Sequence, residues 1–188
     1  MGPPLPLPTV TEQTIAGLYL VGLVSNVLGE DARGTFREAW QNQKMTDGGL
    51  PEFKPVQYNV AESRYGVVRG IHAEPWDKYV HIVTGEVFGA WVDLRPDSPS
   101  FGQTVTATLD SSNAIYVPRG VGNSYAVTSE HAAYTYLVNE HWSPEATYQA
   151  VAYDDPDLAI EWPVPPAERI VSDKDRANPT FKGLFPNA

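Results

Sequence analysis

The chain has 188 residues, enough for one domain with a sizeable core. It carries 13 Lys and Arg against 23 Asp and Glu, a formal net charge of −10, so it lacks the basic face that a nucleic-acid backbone requires, although a few local cations suffice for a small anionic ligand. Cysteine is absent, which excludes disulfides, thiolate nucleophiles and thiolate-held metal sites, and 42% hydrophobic with 19% charged residues excludes a disordered chain.

The stretch Met1–Pro8 has no basic region and no long apolar run, so it does not read as a signal peptide. Nor does any run of 18 apolar residues suggest a membrane span, and a cytoplasmic protein is expected. Short strand-like segments follow in order: Thr14–Val21, Val56–Val60, Tyr79–Val83, Val87–Leu94, Thr104–Leu109, Ala114–Val117, Ser124–Val127 and Ala132–Val138. Thr84 and Gly85 join the third and fourth as a hairpin. Gln43–Pro51, the proline-rich Trp162–Pro166 and the tail from Ser172 read as non-strand. Many short strands with turn signals predict an all-β antiparallel sandwich or barrel, with a few short helices, as a single domain over residues 1–188.

The most informative stretch runs from Gly66 to Gly85. It resembles the first motif of the cupin jelly rolls: Gly, five residues, His-x-His, three or four residues, Glu, six residues, Gly. Here His72 alone survives of the metal ligands; Glu74 stands at the second His and Lys78 at the Glu. The second motif, Pro-x-Gly-x-x-His, reads Pro118-Arg119-Gly120-Val121-Gly122-Asn123, so Asn123 replaces the last ligand. A Lys ammonium offers no lone pair and repels a cation, so this set is unsuited to a metal. A fixed ammonium suits a different task, stabilising negative charge that develops on a substrate oxygen.

Five further pieces, in order, resemble the dTDP-4-dehydrorhamnose 3,5-epimerases, a metal-free branch of the cupins. Asp31–Glu38 fits D-x-R-G-x-F-x-E; Gln57-Tyr58-Asn59 with Gly66–His72 fits Q-x-N…G-V-x-R-G-x-H. Val92–Arg95 with Ser98–Gly102 fits V-D-x-R…S-P-[TS]-F-G, and Tyr136 precedes Trp142-Ser143-Pro144. Asp154-Asp155-Pro156, Glu161-Trp162-Pro163 and Ser172–Asp175 fit the ending.

The resemblance implies a role for each matching position. His72 corresponds to the general base, Asp175 to the carboxylate that orients it, Tyr136 to the proton donor on the other face, and Arg69 and Lys78 to the cations around the sugar ketone. Arg33, Phe36, Glu38, Gln57 and Asn59 correspond to nucleotide-sugar contacts, partly across a subunit interface, and Arg119, Asn123 and Trp142 join the expected substrate contacts. The implied ligand is a dTDP-linked 4-keto-6-deoxy-sugar, with no cofactor and no metal. The implied assembly is a homodimer, with N-terminal strands at the interface and the C-terminal tail closing on the site.

That chemistry suits these residue types. A ketone at C4 acidifies the hydrogens on C3 and C5; removing one leaves an enolate that needs cations nearby, and returning the proton to the opposite face inverts the centre. The chain departs from the family where Asn123, Gly89, Glu74 and Trp142 replace a His, an Asp, a Gln and a Tyr, so the sugar, and inversion at one centre or two, stay open. So does the choice between Tyr134 and Tyr136, which share a strand face. His81, His131 and His141 have no motif context and are expected to be structural or exposed. The competing readings are a mono-epimerase, a non-catalytic sugar-nucleotide binder and a metal-dependent cupin.

Overall fold

A computed structural model describes residues 6–24, 32–34, 36–143, 146 and 148–186. Among these residues eleven strands form two antiparallel sheets. In chain order they are β1 (Thr9–Glu12), β2 (Tyr19–Gly22), β3 (Gln57–Arg64), β4 (Val68–Ala73), β5 (Lys78–Thr84), β6 (Val87–Asp93), β7 (Thr104–Leu109), β8 (Asn113–Val117), β9 (Val121–Val127), β10 (His131–Val138) and β11 (Gln149–Ala150). The six-stranded sheet runs β1-β2-β8-β5-β10-β3 and the five-stranded sheet β11-β4-β9-β6-β7.

Alternation along the strands explains how they pack. Val80, Ile82, Ile115 and Tyr134 of the larger sheet meet Trp91, Tyr125 and Val127 of the smaller one in the central core. The outer faces are covered too. Helix α1 (Asn42–Asp47) buries Met45 with Leu50 and Phe53 against Tyr79 and Tyr116, so β5 is apolar on both faces. Residues after β11 cover the smaller sheet with Val151, Tyr153, Trp162 and Val164, and with Phe181 of the last helix, α3 (Phe181–Leu184). Between them lies α2 (Asp173–Arg176), capped by the Ser172 side chain.

The short strands β1 and β11 lie outside the segments expected from the sequence, and three further elements differ from that expectation. The segment Thr14–Val21 is a strand only from Tyr19; before it, Gly17 at φ +79° turns the chain and drops Ile15 and Leu18 into the core. Apolar content there signals burial, not extension. The expected loop at 43–51 contains α1, whose single buried residue, Met45, gives no helical period to detect. The third is β4, which carries His72 and was legible only as a motif.

The V-D-x-R and S-P-S pieces prove to be a structural clasp. Asp93, fully buried, accepts from Arg95 Nε (2.7 Å) and from the hydroxyls of Ser98 (2.5 Å) and Ser100 (2.6 Å). Arg95 also donates to the carbonyl of Ala16 (2.8 Å), tying in the turn before β2. Burial alone would raise this carboxyl, but the bonds from Arg95, Ser100 and Ser98 outweigh it and hold Asp93 at about 2. A group depressed in the folded state stabilises the fold above its unfolded value, about 3.9, and loses that contribution as pH falls towards 2. Asp93→Asn should therefore lower the unfolding midpoint most near neutral pH, and its gap to the parent should narrow on acidification from pH 5 to about 2; a constant gap in pH-resolved thermal melts would contradict the assignment.

Candidate active site

The site is built on an irregularity in β4. Pairing with β9 shifts between Arg69 and His72. Val68 packs outward, Ile71 and Ala73 pack outward as well, and His72 turns inward opposite Asn123. His72 Nε2 lies 2.6 Å from Asp175 Oδ1. Asp175, from α2, is 5% exposed, and its other oxygen accepts from the Gly70 amide at 3.3 Å. A carboxylate in this position fixes the imidazole tautomer and stabilises the imidazolium. Glycine at position 70 permits the approach, because a Cβ there would lie 3.2 Å from Asp175 Cβ and 3.4 Å from Tyr153 Cβ. Gly70→Ala is thus expected to push Asp175 off His72 and cut turnover about tenfold while nucleotide binding is kept. Unchanged turnover would mean that the helix yields without disturbing the pair.

Facing this wall, from the other sheet, are Lys78 and Tyr136. Lys78 opens β5 and is 7% exposed; its ammonium pairs with Glu74 and lies 5.2 Å from the centre of the Tyr136 ring. Glu74 also accepts from Trp76 Nε1 at 3.1 Å. Burial, reinforced by the Glu74 charge, raises the Tyr136 phenol above its ordinary value, so it is protonated at neutral pH and able to donate; the Arg69 guanidinium opposes that rise. Tyr134 is different. It is 3% exposed, stacks on Tyr125 at 3.9 Å and donates to Asn123 Oδ1 at 3.2 Å, which commits it to the core.

Beside Tyr136 a cleft of about 310 Å³ is lined by Gln57, Asn59 and Val138 of the larger sheet and by Glu74, Trp76 and Trp142 of the loops next to it; His72, Asp175, Lys78 and Asn123 are not in its lining. Gln57 donates to Asn59 (2.8 Å) and accepts from the Trp142 amide (3.0 Å), so these three form one wall. Trp142, 59% exposed, also lines a neighbouring cleft of about 630 Å³ with Tyr148 and Lys174, and Tyr148 sits edge-on to His72 at 5.9 Å. The C-terminal segment thus reaches the site through Asp175, Lys174 and Tyr148.

The structure brings together His72, Asp175, Lys78, Tyr136, Asn123, Gln57, Asn59 and Trp142, with Arg69 close enough to Tyr136 to affect its proton. Arg119, held by its backbone and guanidinium to Asp77, lines an adjoining cleft of about 420 Å³ with Glu74 and Tyr148. Glu38 is elsewhere: it pairs with Lys44 of α1 at 2.7 Å, on the far side of the larger sheet from the cleft, while Phe36 is 56% exposed and Arg33 is exposed. Asp31 and Thr35 of that motif, and Pro144 and Glu145 after Trp142, lie outside the described residues. Of the remaining histidines, His81 is buried and held down to about 4 by burial and by Arg37, whereas His131 and His141 are exposed. Sequence reading did not assign Glu74 as the partner of Lys78, because the four-residue spacing signals a pair only on a helix and these residues flank a turn into β5, and it gave no signal for Tyr148.

The family profile of dTDP-4-dehydrorhamnose 3,5-epimerase matches residues 12–183. The chain belongs to the dTDP-4-dehydrorhamnose 3,5-epimerase family. A relative from Streptococcus pyogenes, described as a protein RmlC homolog, is 43% identical over 163 residues, 83% of this chain and 82% of its own length. The dTDP-4-dehydrorhamnose 3,5-epimerase of Pseudomonas aeruginosa is 35% identical, covering 82% and 87%. Among solved structures, RmlC from Streptococcus suis in complex with dTDP-D-xylose superposes with a TM-score of 0.87 at 40% identity, over 94% of this chain and 93% of that one. The all-β, cupin-like sandwich expected from the sequence is therefore the fold of this epimerase family member. Among the described residues no helix is long and apolar enough to cross a membrane.

Proposed function

We propose that this protein epimerises a dTDP-linked 4-keto-6-deoxy-sugar at C3 and C5, as a cytoplasmic homodimer without a metal or cofactor. The observation that carries the reading is that the His72–Asp175 pair and the Tyr136 phenol stand on opposite sheets, with the buried Lys78 ammonium beside Tyr136. His72, paired with Asp175, belongs to the five-stranded sheet; Tyr136 and Lys78 belong to the six-stranded one. A sugar ring bound between His72 and Tyr136 would present one face to each.

The steps follow from that placement. The His72 imidazole takes the proton from the carbon next to the ketone, and Asp175 stabilises the imidazolium formed. The electron pair moves into an enolate whose oxygen is neutralised by the Lys78 ammonium. Tyr136, kept protonated by burial and by Glu74, gives its proton to the opposite face of the carbon, and the ketone re-forms. No redox change occurs, so no redox partner is required. Trp142 and the Gln57–Asn59 wall offer an aromatic face and amide groups for the rest of the nucleotide-sugar.

Dimerisation is supported by the outer face of the edge strand β3, where Tyr58 and Val60 are 57% and 58% exposed. In such a dimer the exposed Phe36 would reach a partner's cleft. The test is incubation with dTDP-4-keto-6-deoxyglucose in heavy water, with deuterium read at each carbon by NMR. Label at C3 and C5 is the expected result. Label at one carbon only would make the protein a mono-epimerase, and none with any 4-keto-sugar nucleotide would leave a binding protein.

A further inference from the structure

Two of the departures from the family pattern, Gly89 and Asn123, prove to be linked by a third residue. A Cβ on Gly89 would lie 2.2 Å from Cη2 and 2.7 Å from Cζ2 of Trp91, so the indole ring fills the space that any side chain at position 89 would need. Trp91 is fully buried, and its Nε1 donates to Asn123 Oδ1 at 2.9 Å. Tyr134 donates to the same oxygen.

An indole N–H can only donate, so the atom of Asn123 that faces Trp91 must be its oxygen, and the amide cannot be turned round without losing the Trp91 bond. The amide nitrogen is thereby aimed away from them. It donates to no described residue, and it is not among the sealed, partnerless polar atoms of the interior. Asn123 is the register partner of His72 across β4 and β9, so both side chains leave the sheet on the same face, side by side.

We infer that Asn123 offers its Nδ2–H to a sugar oxygen next to the carbon that His72 deprotonates, and that Trp91 is the positioning residue that holds the amide in that orientation, in the space that Gly89 leaves. This rests on the proposed sugar-nucleotide substrate. The acceptor is a ketone, enolate or hydroxyl oxygen of the bound hexose. Because an amide does not titrate, the donor is present at every pH, unlike a histidine in the same place. Burying Trp91 and Tyr134 with a shared acceptor satisfies two donors that would otherwise be orphaned, which explains why this polar residue is tolerated in the core.

Two variants and one spectroscopic reading test it. Asn123→Asp keeps the acceptor for Trp91 and Tyr134 but deletes the donor; kcat for hydrogen exchange should fall about 10- to 100-fold with dTDP affinity unchanged. Trp91→Phe keeps the aromatic bulk but frees the amide to rotate, and should lower kcat about three- to tenfold, with no further loss when it is added to Asn123→Asp. In 15N-labelled parent protein, the Asn123 side-chain NH2 signals should move on adding dTDP-glucose but not dTDP. If the parent exchanges hydrogen while Asn123→Asp does so at the parent rate, or while the double variant loses activity additively, the inference is overturned. If the parent exchanges nothing but the amide signals move with dTDP-glucose alone, the donor stands and the epimerase reading falls. If those signals move equally with dTDP, or not at all, the donor falls whatever the exchange result.

Discussion

His72→Asn is expected to lower epimerisation by about 1,000-fold or more, within the range that a positioned general base supplies. Asparagine retains a donor that can face Asp175, so the buried carboxylate keeps a partner and the thermal midpoint should hardly move. The His72 side chain is 26% exposed, so the exchange leaves no large void. Binding of dTDP should be unaffected, because the imidazole serves the sugar carbon and the nucleotide is held elsewhere. A variant that exchanges hydrogen at the parent rate would show that another group is the base. Loss of dTDP binding in parallel would make His72 a binding residue.

The second large effect is expected from Lys78→Met. Methionine matches the lysine stem, so packing is kept while the ammonium is removed. Without it the enolate oxygen has lost its cation, and kcat should fall about 100- to 1,000-fold, the scale for losing one donor aimed at a developing oxyanion. The same variant leaves Glu74, whose side chain is 15% exposed, without its counter-ion. Breaking such a pair from one side costs about 3–5 kcal/mol in a fully buried setting, and less where water still reaches, so the midpoint should drop as well. The double variant Glu74→Gln with Lys78→Met separates the two consequences. Stability should return towards the parent while turnover stays low; recovery of turnover with stability would reduce Lys78 to a structural ion-pair member.

Much of this site was legible because its chemistry depends on spacing. His72, Lys78 and Asn123 follow from the Gly and Pro frame of the motif, and the structure places all three on the walls of one site. Asp175 was legible only through the family ending, since its partner is 103 residues away and nothing local distinguishes it from a surface acid. What stayed hidden are facts about depth and direction. A period of two places Tyr134 and Tyr136 on one face but cannot say that Tyr134 is consumed by stacking on Tyr125 while Tyr136 reaches the cleft. The shift in β4 register sends both Val68 and Ile71, three residues apart, outward and so breaks the alternation on which a strand is recognised, and that is why β4 is not legible as one. The coupling of Gly89 to Asn123 runs through Trp91, which reads in sequence as one more apolar strand residue. Glu38 of the first motif is held by Lys44 of α1, on the far side of the larger sheet from the cleft.

The central claim is that an imidazole removes a carbon-bound hydrogen and a lysine ammonium carries the charge that results. It is tested most directly by the release of deuterium into water from dTDP-4-keto-6-deoxyglucose labelled at C3, compared for the parent, His72→Asn and Lys78→Met at equal dTDP occupancy. The account predicts rapid release by the parent, none above background for His72→Asn, and release slowed at least about 100-fold for Lys78→Met. Parent-like release from either variant would contradict it.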